Sequence, residues 1–337
     1  MNLDKLSDNL DPDKNYLFTS ESDVRYLLGN AYFKTVEILV KEKKICILAD
    51  TLNKDVISSM VGDKYAVYDS RDDKTVKKLF GDIDEIIVDP TKVTMEKESS
   101  LKLLGIKNVG TQKSILSEIR SIKTNSEVEM LKHSQSINMK TLKAVEDFVK
   151  IGMSEEEIAD YIRLKHFEFG ARGESFEPMV AFGENGANIH HISSSDRKLR
   201  STDQILIDIG CIYRGYCSDM TRVIFMDEVQ QKQKDLYELV KNTTYECLKY
   251  GKIGMTFGEF NEKAKELLGE HRDLFIHTLS HGIGVDVHEI PLGKKDFDMV
   301  IREGNVFSIE PGIYFPEEFG FRYEIMALAR QDGLVEL

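Results

Sequence analysis

Long apolar runs are missing from this sequence, and no stretch approaches the roughly 18 residues that a bilayer-spanning helix needs. No membrane partner is expected. A basic excess is missing too: the net charge is −13, so no cationic face would gather phosphates and a nucleic-acid partner is not expected. Cysteine is scarce. Cys46, Cys211, Cys217 and Cys247 show no Cys-x-x-Cys spacing, which argues against a structural zinc site and leaves the thiols as small buried hydrophobes. The opening MNLDKLSDNLDPDKNY is polar and acidic and lacks the apolar core of a secretory signal. Reduced thiols and a cytoplasmic location follow as expectations. Internal repeats and low-complexity segments are absent as well.

What is present is the composition of a globular protein, 41% hydrophobic and 31% charged. At 337 residues the chain exceeds the size at which one core usually keeps growing, so two domains are expected. Residues 1–122 alternate short apolar runs (NYLFTS, EILVKEKKICILAD, KYAVYD, DEIIVDP) with helix-like NKDVISSMVG and DKTVKKLFG. EILV and ICILAD, split by KEKK, read as a hairpin, and the whole as a small α/β domain. Beyond residue 122 the texture changes. Ser126 with Glu129, Ser154 with Glu157 and Thr256 with Glu259 are capping-box patterns. They open expected helices to about Val149, to about Phe169 and over 256–270, with a fourth near 229–249. A polar segment runs from Gly170 to Arg200, and strand patterns fill QILIDIG, RVIFM and the tail. The expected class is α+β, with residues 1–122 a smaller α/β domain and residues 123–337 the second.

Within that second region LIDIGCIYRGYCSDMTR places Asp208 and Asp219 in a hairpin of otherwise buried strands. A two-residue loop at Tyr213-Arg214 would set the two acids directly opposite, where like charges destabilise. A three-residue loop ending on Gly215 would shift the register but leave them close. Glu310 in VFSIEPGIYF and Glu324 in FGFRYEIMAL repeat the pattern, with the turn-like PEEFG at their midpoint. Either pair alone reads equally well as a structural pair held by arginine or backbone donors. Two pairs flanking the histidine-rich IHTLSHGIGVDVHE read better as a cation site. Of the eight histidines, those at 190, 191, 277, 281 and 288 are candidates, while His133, His166 and His271 read as core. Four carboxylates and an imidazole suit a pair of hard-to-borderline divalent ions, which would hold a shared water as hydroxide near neutral pH. Metal-assisted hydrolysis is the chemistry expected.

SFEPMVAFGENGANIHH, LIDIGCIYRGYCSDMTR, HTLSHGIGVDVHEIP, FSIEPGIYF and FRYE, in this order, resemble the pita-bread metallopeptidases, the family of Xaa-Pro aminopeptidases, Xaa-Pro dipeptidases and methionine aminopeptidases. YLFTSESDVRYLLG resembles the N-terminal domain of the proline-specific branch and of creatinase. The resemblance implies a pita-bread catalytic domain over 123–337 behind a creatinase-like N-terminal domain. It also implies hydrolysis of Xaa-Pro bonds in dipeptides or at peptide N-termini. It makes Asp208, Asp219, His281, Glu310 and Glu324 ligands of two divalent ions, with Mn²⁺ first and Co²⁺, Zn²⁺ or Fe²⁺ as alternatives. Asp219 and Glu324 would bridge the ions. His191, seventeen residues before Asp208, and His288 would face the substrate as catalytic groups, and Glu310 would shuttle a proton. His277 and Arg322 would bind the substrate, a proline-containing peptide, and the assembly would be a homodimer. Arg222 matches a family arginine without a firm role. The chain departs from the family at Ile325, where an acidic or amide residue usually follows the last ligand, and at Ser280, where many relatives carry glycine. Creatinase-like hydrolysis without metal and a catalytically retired binding module are the competing readings.

Overall fold

The computed structural model describes residues 1–29, 33–113 and 115–337. They form two compact units, Met1–Ile119 and Arg120–Leu337. The first is built on one six-stranded mixed sheet. Its spatial order is Ala66–Asp69, Lys44–Ala49, Glu37–Lys41, Tyr16–Phe18, Glu85–Val88 and Asn108–Thr111. The expected hairpin is present, with Lys41 paired to Lys44 across a two-residue turn in which Glu42 and Lys43 have φ of 48° and 63°. Two positive φ values match the twist of the flanking strands. NKDVISSMVG and DKTVKKLFG supply the helices Thr51–Val61 and Asp73–Phe80, each N-capped by an aspartate, Asp50 and Asp72.

The second unit repeats one theme twice: two helices cover one face of a sheet. Asn125–Phe148 and Glu155–Glu168 bury Leu142, Val145, Ile158 and Ile162 against Val180, Phe182, Ile205, Ile207 and Ile209. Those strands, Met179–Phe182, Gln204–Ile209 and Met220–Phe225, form a three-stranded antiparallel sheet with Gln204–Ile209 at its centre. Helices Gln231–Tyr250 and Phe257–Leu268 cover a five-stranded sheet ordered Glu289–Leu292, His281–Gly282, Val306–Ile309, Ile325–Arg330 and Gly333–Glu336. Because side chains alternate along a strand, odd-numbered Ile205, Ile207 and Ile209 meet one helix pair, and Phe307, Ile309, Ile325 and Ala327 meet the other. Asp208, Glu310 and Glu324 are therefore on the opposite faces.

The capping boxes at Ser154/Glu157 and Thr256/Glu259 are present. The one expected at Ser126/Glu129 is not. The helix starts two residues earlier, with the N-cap at Thr124, whose backbone N–H donates to Glu127 (2.8 Å). Two Ser/Thr-x-x-Glu patterns overlap there, and tertiary contact decides between them. Glu127 is buried and accepts from Tyr216 Oη (3.1 Å), whereas Glu129 stays exposed with Lys132. The segment read as polar, 170–200, hides the buried strand Met179–Phe182. Four apolar residues between polar neighbours are too short a run to stand out. All four cysteines are buried and none forms a disulfide among the described residues. Among the described residues no helix is long and apolar enough to cross a membrane.

Candidate metal centre

The hairpin that carries the two aspartates turns at Arg214-Gly215, with φ of 47° and 84°. Tyr213 pairs with Tyr216, and the same register continues to Ile209↔Met220 and Asp208↔Thr221. Neither of the two loops considered from the sequence forms, and Asp208 stands opposite Thr221 rather than Asp219. A primed two-residue turn favours a glycine, and using Gly215 rather than Tyr213 moves the pairing by two residues. A shift of two preserves the face, so Asp219 remains a diagonal neighbour of Asp208. Gly210 sits where the strands close on each other: a Cβ there would lie 2.2 Å from the Ser218 carbonyl oxygen.

The second hairpin has the expected register. Ile309 pairs with Ile325 and Gly312 with Arg322. Glu310 and Glu324 flank the step between these two ladders. Their loop holds Glu317 at φ 63°.

His281 brings the two hairpins to one point. Its Nδ1 lies 3.1 Å from the Gly282 carbonyl, which can only accept, so Nδ1 carries a proton and Nε2 is the nitrogen turned toward the acids. That Nε2 is 3.4 Å from Asp219 Oδ2, 3.3 Å from Glu310 Oε1 and 4.0 Å from Glu324 Oε1. Ligand atoms of Asp219, His281 and Glu324 all fall within 4.8 Å of one another. A chain of donors supports the acids from behind. Arg322 donates from Nη2 to Asp208 Oδ2 (2.6 Å), from Nε to Thr221 Oγ1 (2.9 Å) and from Nη1 to Tyr314 Oη (2.9 Å). Thr221 Oγ1 donates onward to Glu324 Oε2 (2.9 Å), and Ser308 Oγ donates to Glu310 Oε1 (3.0 Å). Ile325, the departure from the family pattern, is buried in the hydrophobic core and leaves this support to Thr221.

The electrostatics of this cluster ask for cations. Burial, and then the charges of Asp208 and Glu310, push the Asp219 carboxyl well above the usual range. Burial, then Asp219, Glu310 and Asp208, do the same to Glu324. Burial raises Glu310 as well, with His281 and Arg322 opposing. Asp208 Oδ1 and Glu324 Oε1 are buried without a hydrogen-bond partner among the described residues. Buried carboxylate oxygens without donors, gathered around an imidazole Nε2, fit divalent ions with mainly oxygen ligands. The residues present suit the group that the sequence implies.

A cavity of about 390 Å³ opens over the cluster, and the four acids and His281 all line it. His277, His288 and Arg322 line it too. The His288 ring packs edge-on to His281, with centroids 4.2 Å apart. Burial, then the neighbouring His281 and His190, push its pKa down to about 4. His277 holds Nδ1 at 2.9 Å from the Thr278 carbonyl and Nε2 at 2.9 Å from Tyr314 Oη. Burial, then the Arg322 charge, lower it to about 3, so the ring is neutral and Tyr314 donates to its Nε2. His191 is placed differently from the expectation. Its Nε2 pairs with buried Glu155 at 2.7 Å, and His190 is the neighbour that lines the cavity. Arg222 donates to the backbone carbonyls of Thr221 and Glu324 and stacks over Tyr323 at 4.0 Å, clamping the two hairpins together. Thr221, Tyr314 and Glu155 carried no assignment from the sequence, although the first two stand inside the quoted motifs.

Residues 129–331 match metallopeptidase family M24. The Xaa-Pro dipeptidase of Pyrococcus furiosus is 30% identical over 269 residues, 77% of each chain. The solved Xaa-Pro dipeptidase of Bacillus anthracis superposes with a TM-score of 0.91 at 25% identity, over 99% of this chain and 95% of that one. The X-Pro aminopeptidase of Thermotoga maritima gives 0.88 at 25%, over 98% and 96%. A matched family over most of the second unit, a shared fold along the whole length and a buried acid-and-imidazole cluster agree: this chain belongs to metallopeptidase family M24, with its pita-bread fold behind an N-terminal α/β domain.

Proposed function

We propose that this protein hydrolyses the peptide bond before proline, in dipeptides or at peptide N-termini. Two divalent ions would be held by Asp208, Asp219, His281, Glu310 and Glu324. The observation that carries the reading is the Nε2 of His281 facing three carboxylates, all of them pushed toward protonation by burial and by neighbouring carboxylates. Bound there, the ions would supply Lewis-acid polarisation of the scissile carbonyl and a lowered pKa for the attacking water, with Mn²⁺ the first candidate.

The chain's own residues account for the rest. Glu310 accepts the proton of the attacking water on a carboxylate oxygen and delivers it to the proline nitrogen as the C–N bond breaks. His288, neutral at ordinary pH, and His190 stand on the cavity wall where an N–H can meet the developing oxyanion. His190 takes the place that the sequence gave to His191. Phe176, Ile189 and Leu292 supply apolar wall for the substrate's rings and side chains. Tyr314, held by Arg322, fixes His277 in its neutral tautomer. Arg322 has all three nitrogens engaged within the protein, and we assign it to neutralising Asp208 rather than to reading a substrate carboxylate.

The test is hydrolysis of a Xaa-Pro dipeptide, a Xaa-Pro-Yaa tripeptide and their alanine counterparts by metal-depleted protein before and after Mn²⁺ is restored. Cleavage before proline that needs the metal supports the reading, and the dipeptide-to-tripeptide ratio assigns dipeptidase or aminopeptidase. Equal cleavage of the alanine peptides, or turnover that survives chelation, would overturn it.

A further inference from the structure

One buried carboxylate outside the metal cluster has more donors than any helix cap needs. Glu155 is fully buried at the first position of the helix Glu155–Glu168. Its Oε1 accepts from the backbone N–H of Phe182 and from Asn185 Nδ2, both at 2.8 Å. Its Oε2 accepts from the backbone N–H of Ser194 (3.0 Å) and lies 2.7 Å from His191 Nε2. Burial works against the ionised form, but His191, Asn185 and the two backbone donors outweigh it and hold the carboxyl below its usual range. The helix N-terminus favours the same charge.

All four donors come from one stretch of chain, residues 182–194. That stretch also carries Ile189 and His190, which line the cavity. It has little regular structure of its own: a short 3-10 turn, Gly183–Ala187, and then irregular backbone. His190 and His191 are consecutive, so a side chain anchored inward at 191 constrains the direction taken at 190. His190 in turn is close enough for its charge to act on both His277 and His288.

We infer that Glu155 is a positioning residue: through its hydrogen bond with His191 and its hold on Phe182, Asn185 and Ser194, it fixes His190 against the reacting carbonyl. The inference rests on the proposed Xaa-Pro hydrolysis for its kinetic consequence, but the geometry it asserts is independent of substrate. Glutamine at 155 keeps the size and one acceptor, yet turns an N–H₂ group toward the backbone N–H of Phe182 or of Ser194, which it cannot bond. His191→Phe removes the anchoring nitrogen from a largely buried side chain but leaves Glu155 its other three donors, and so perturbs the anchor in a second, independent way.

The experiment is a double-mutant cycle on the metal-loaded enzyme. Glu155→Gln and His191→Phe should each lower kcat roughly 10- to 100-fold with KM changed far less, the loss typical of a misplaced catalytic group. In a His190→Ala background the same substitutions should add less than about 2-fold, because the group they position is gone. Their effect on thermal stability should persist there unchanged. Losses that multiply in the His190→Ala background, or a kcat that neither variant moves, would overturn the inference. Histidine-labelled NMR separates this from failure of the hydrolysis reading. The His191 Nε2–H resonance should disappear in Glu155→Gln and the untouched His190 ring signals should move, whatever substrate the enzyme prefers. His190 signals that stay in place would count against it.

Discussion

Thr221 joins groups of opposite sign. Its hydroxyl accepts from Arg322 Nε and donates to Glu324 Oε2, so one oxygen orders a buried cation and a proposed metal ligand together. Thr221→Val keeps the shape and removes both bonds. The expected result is metal affinity weakened roughly 10- to 100-fold, measured by competition with a chelator, with kcat nearly restored at saturating metal. Unchanged affinity would show that Arg322 and Glu324 are held by their other contacts. At this scale the acids and His281 were legible because charge inside an apolar strand pattern is conspicuous. Thr221 and Tyr314 were not, since a hydroxyl in a strand has an ordinary reading as β-former. The choice of His191 over His190 rested on its spacing from Asp208, and the structure turns His191 to Glu155 and lines the cavity with His190. Counting back from Asp208 assumes equal loop length, and only the buried Glu155 reveals which imidazole the fold captures.

Among the elements, hairpin register depended on turn chemistry. PEEFG fixed the second pair by symmetry about Glu317, whereas YRGY offered several loops and the glycine decided. The loop that carries His288 has its own anchor next door. Glu289 is buried, accepts from the backbone N–H of Val285 (2.8 Å) and Asp286 (3.2 Å), and pairs with Arg120 and with Lys123 (3.1 Å). Burial alone would raise its pKa, but the Arg120 and Lys123 charges, with the hydrogen bond from Arg120, hold it at about 2. A carboxyl depressed in the folded state contributes stability that is present above the unfolded value near 4.5 and lost as pH falls toward about 2. That contribution is on the order of 3 kcal/mol. Glu289→Gln takes from buried Lys123 and Arg120 the carboxylate they share, with Asp286 still paired to Arg120, and should destabilise by about 3 kcal/mol at pH 7. The gap between wild type and variant in urea unfolding should then narrow as pH falls below 4.5. A gap that stays constant down to pH 3 would mean that the pair does not set the acid limb.

For the whole molecule, periodicity and capping made the class and most elements readable: α/β first, then helix pairs over sheets. Contacts between distant strands had no local signal. Glu324 N donates to the Thr221 carbonyl (3.3 Å), and Arg222 reaches the Glu324 carbonyl, joining two hairpins a hundred residues apart in sequence. The helix-covered faces of both sheets are apolar, and their other faces converge on like charges that the fold alone leaves in conflict. On this account the ions resolve that conflict and become part of the stability of the second unit. The most direct measurement counts ions bound per chain after Mn²⁺ reconstitution, in wild type and in Asp219→Asn, alongside activity. The account predicts two ions in the wild type, and loss of both ions and of hydrolysis together in the variant, since Asp219 serves both. Fewer than one ion per wild-type chain, or a variant that keeps two ions and full activity, would contradict it.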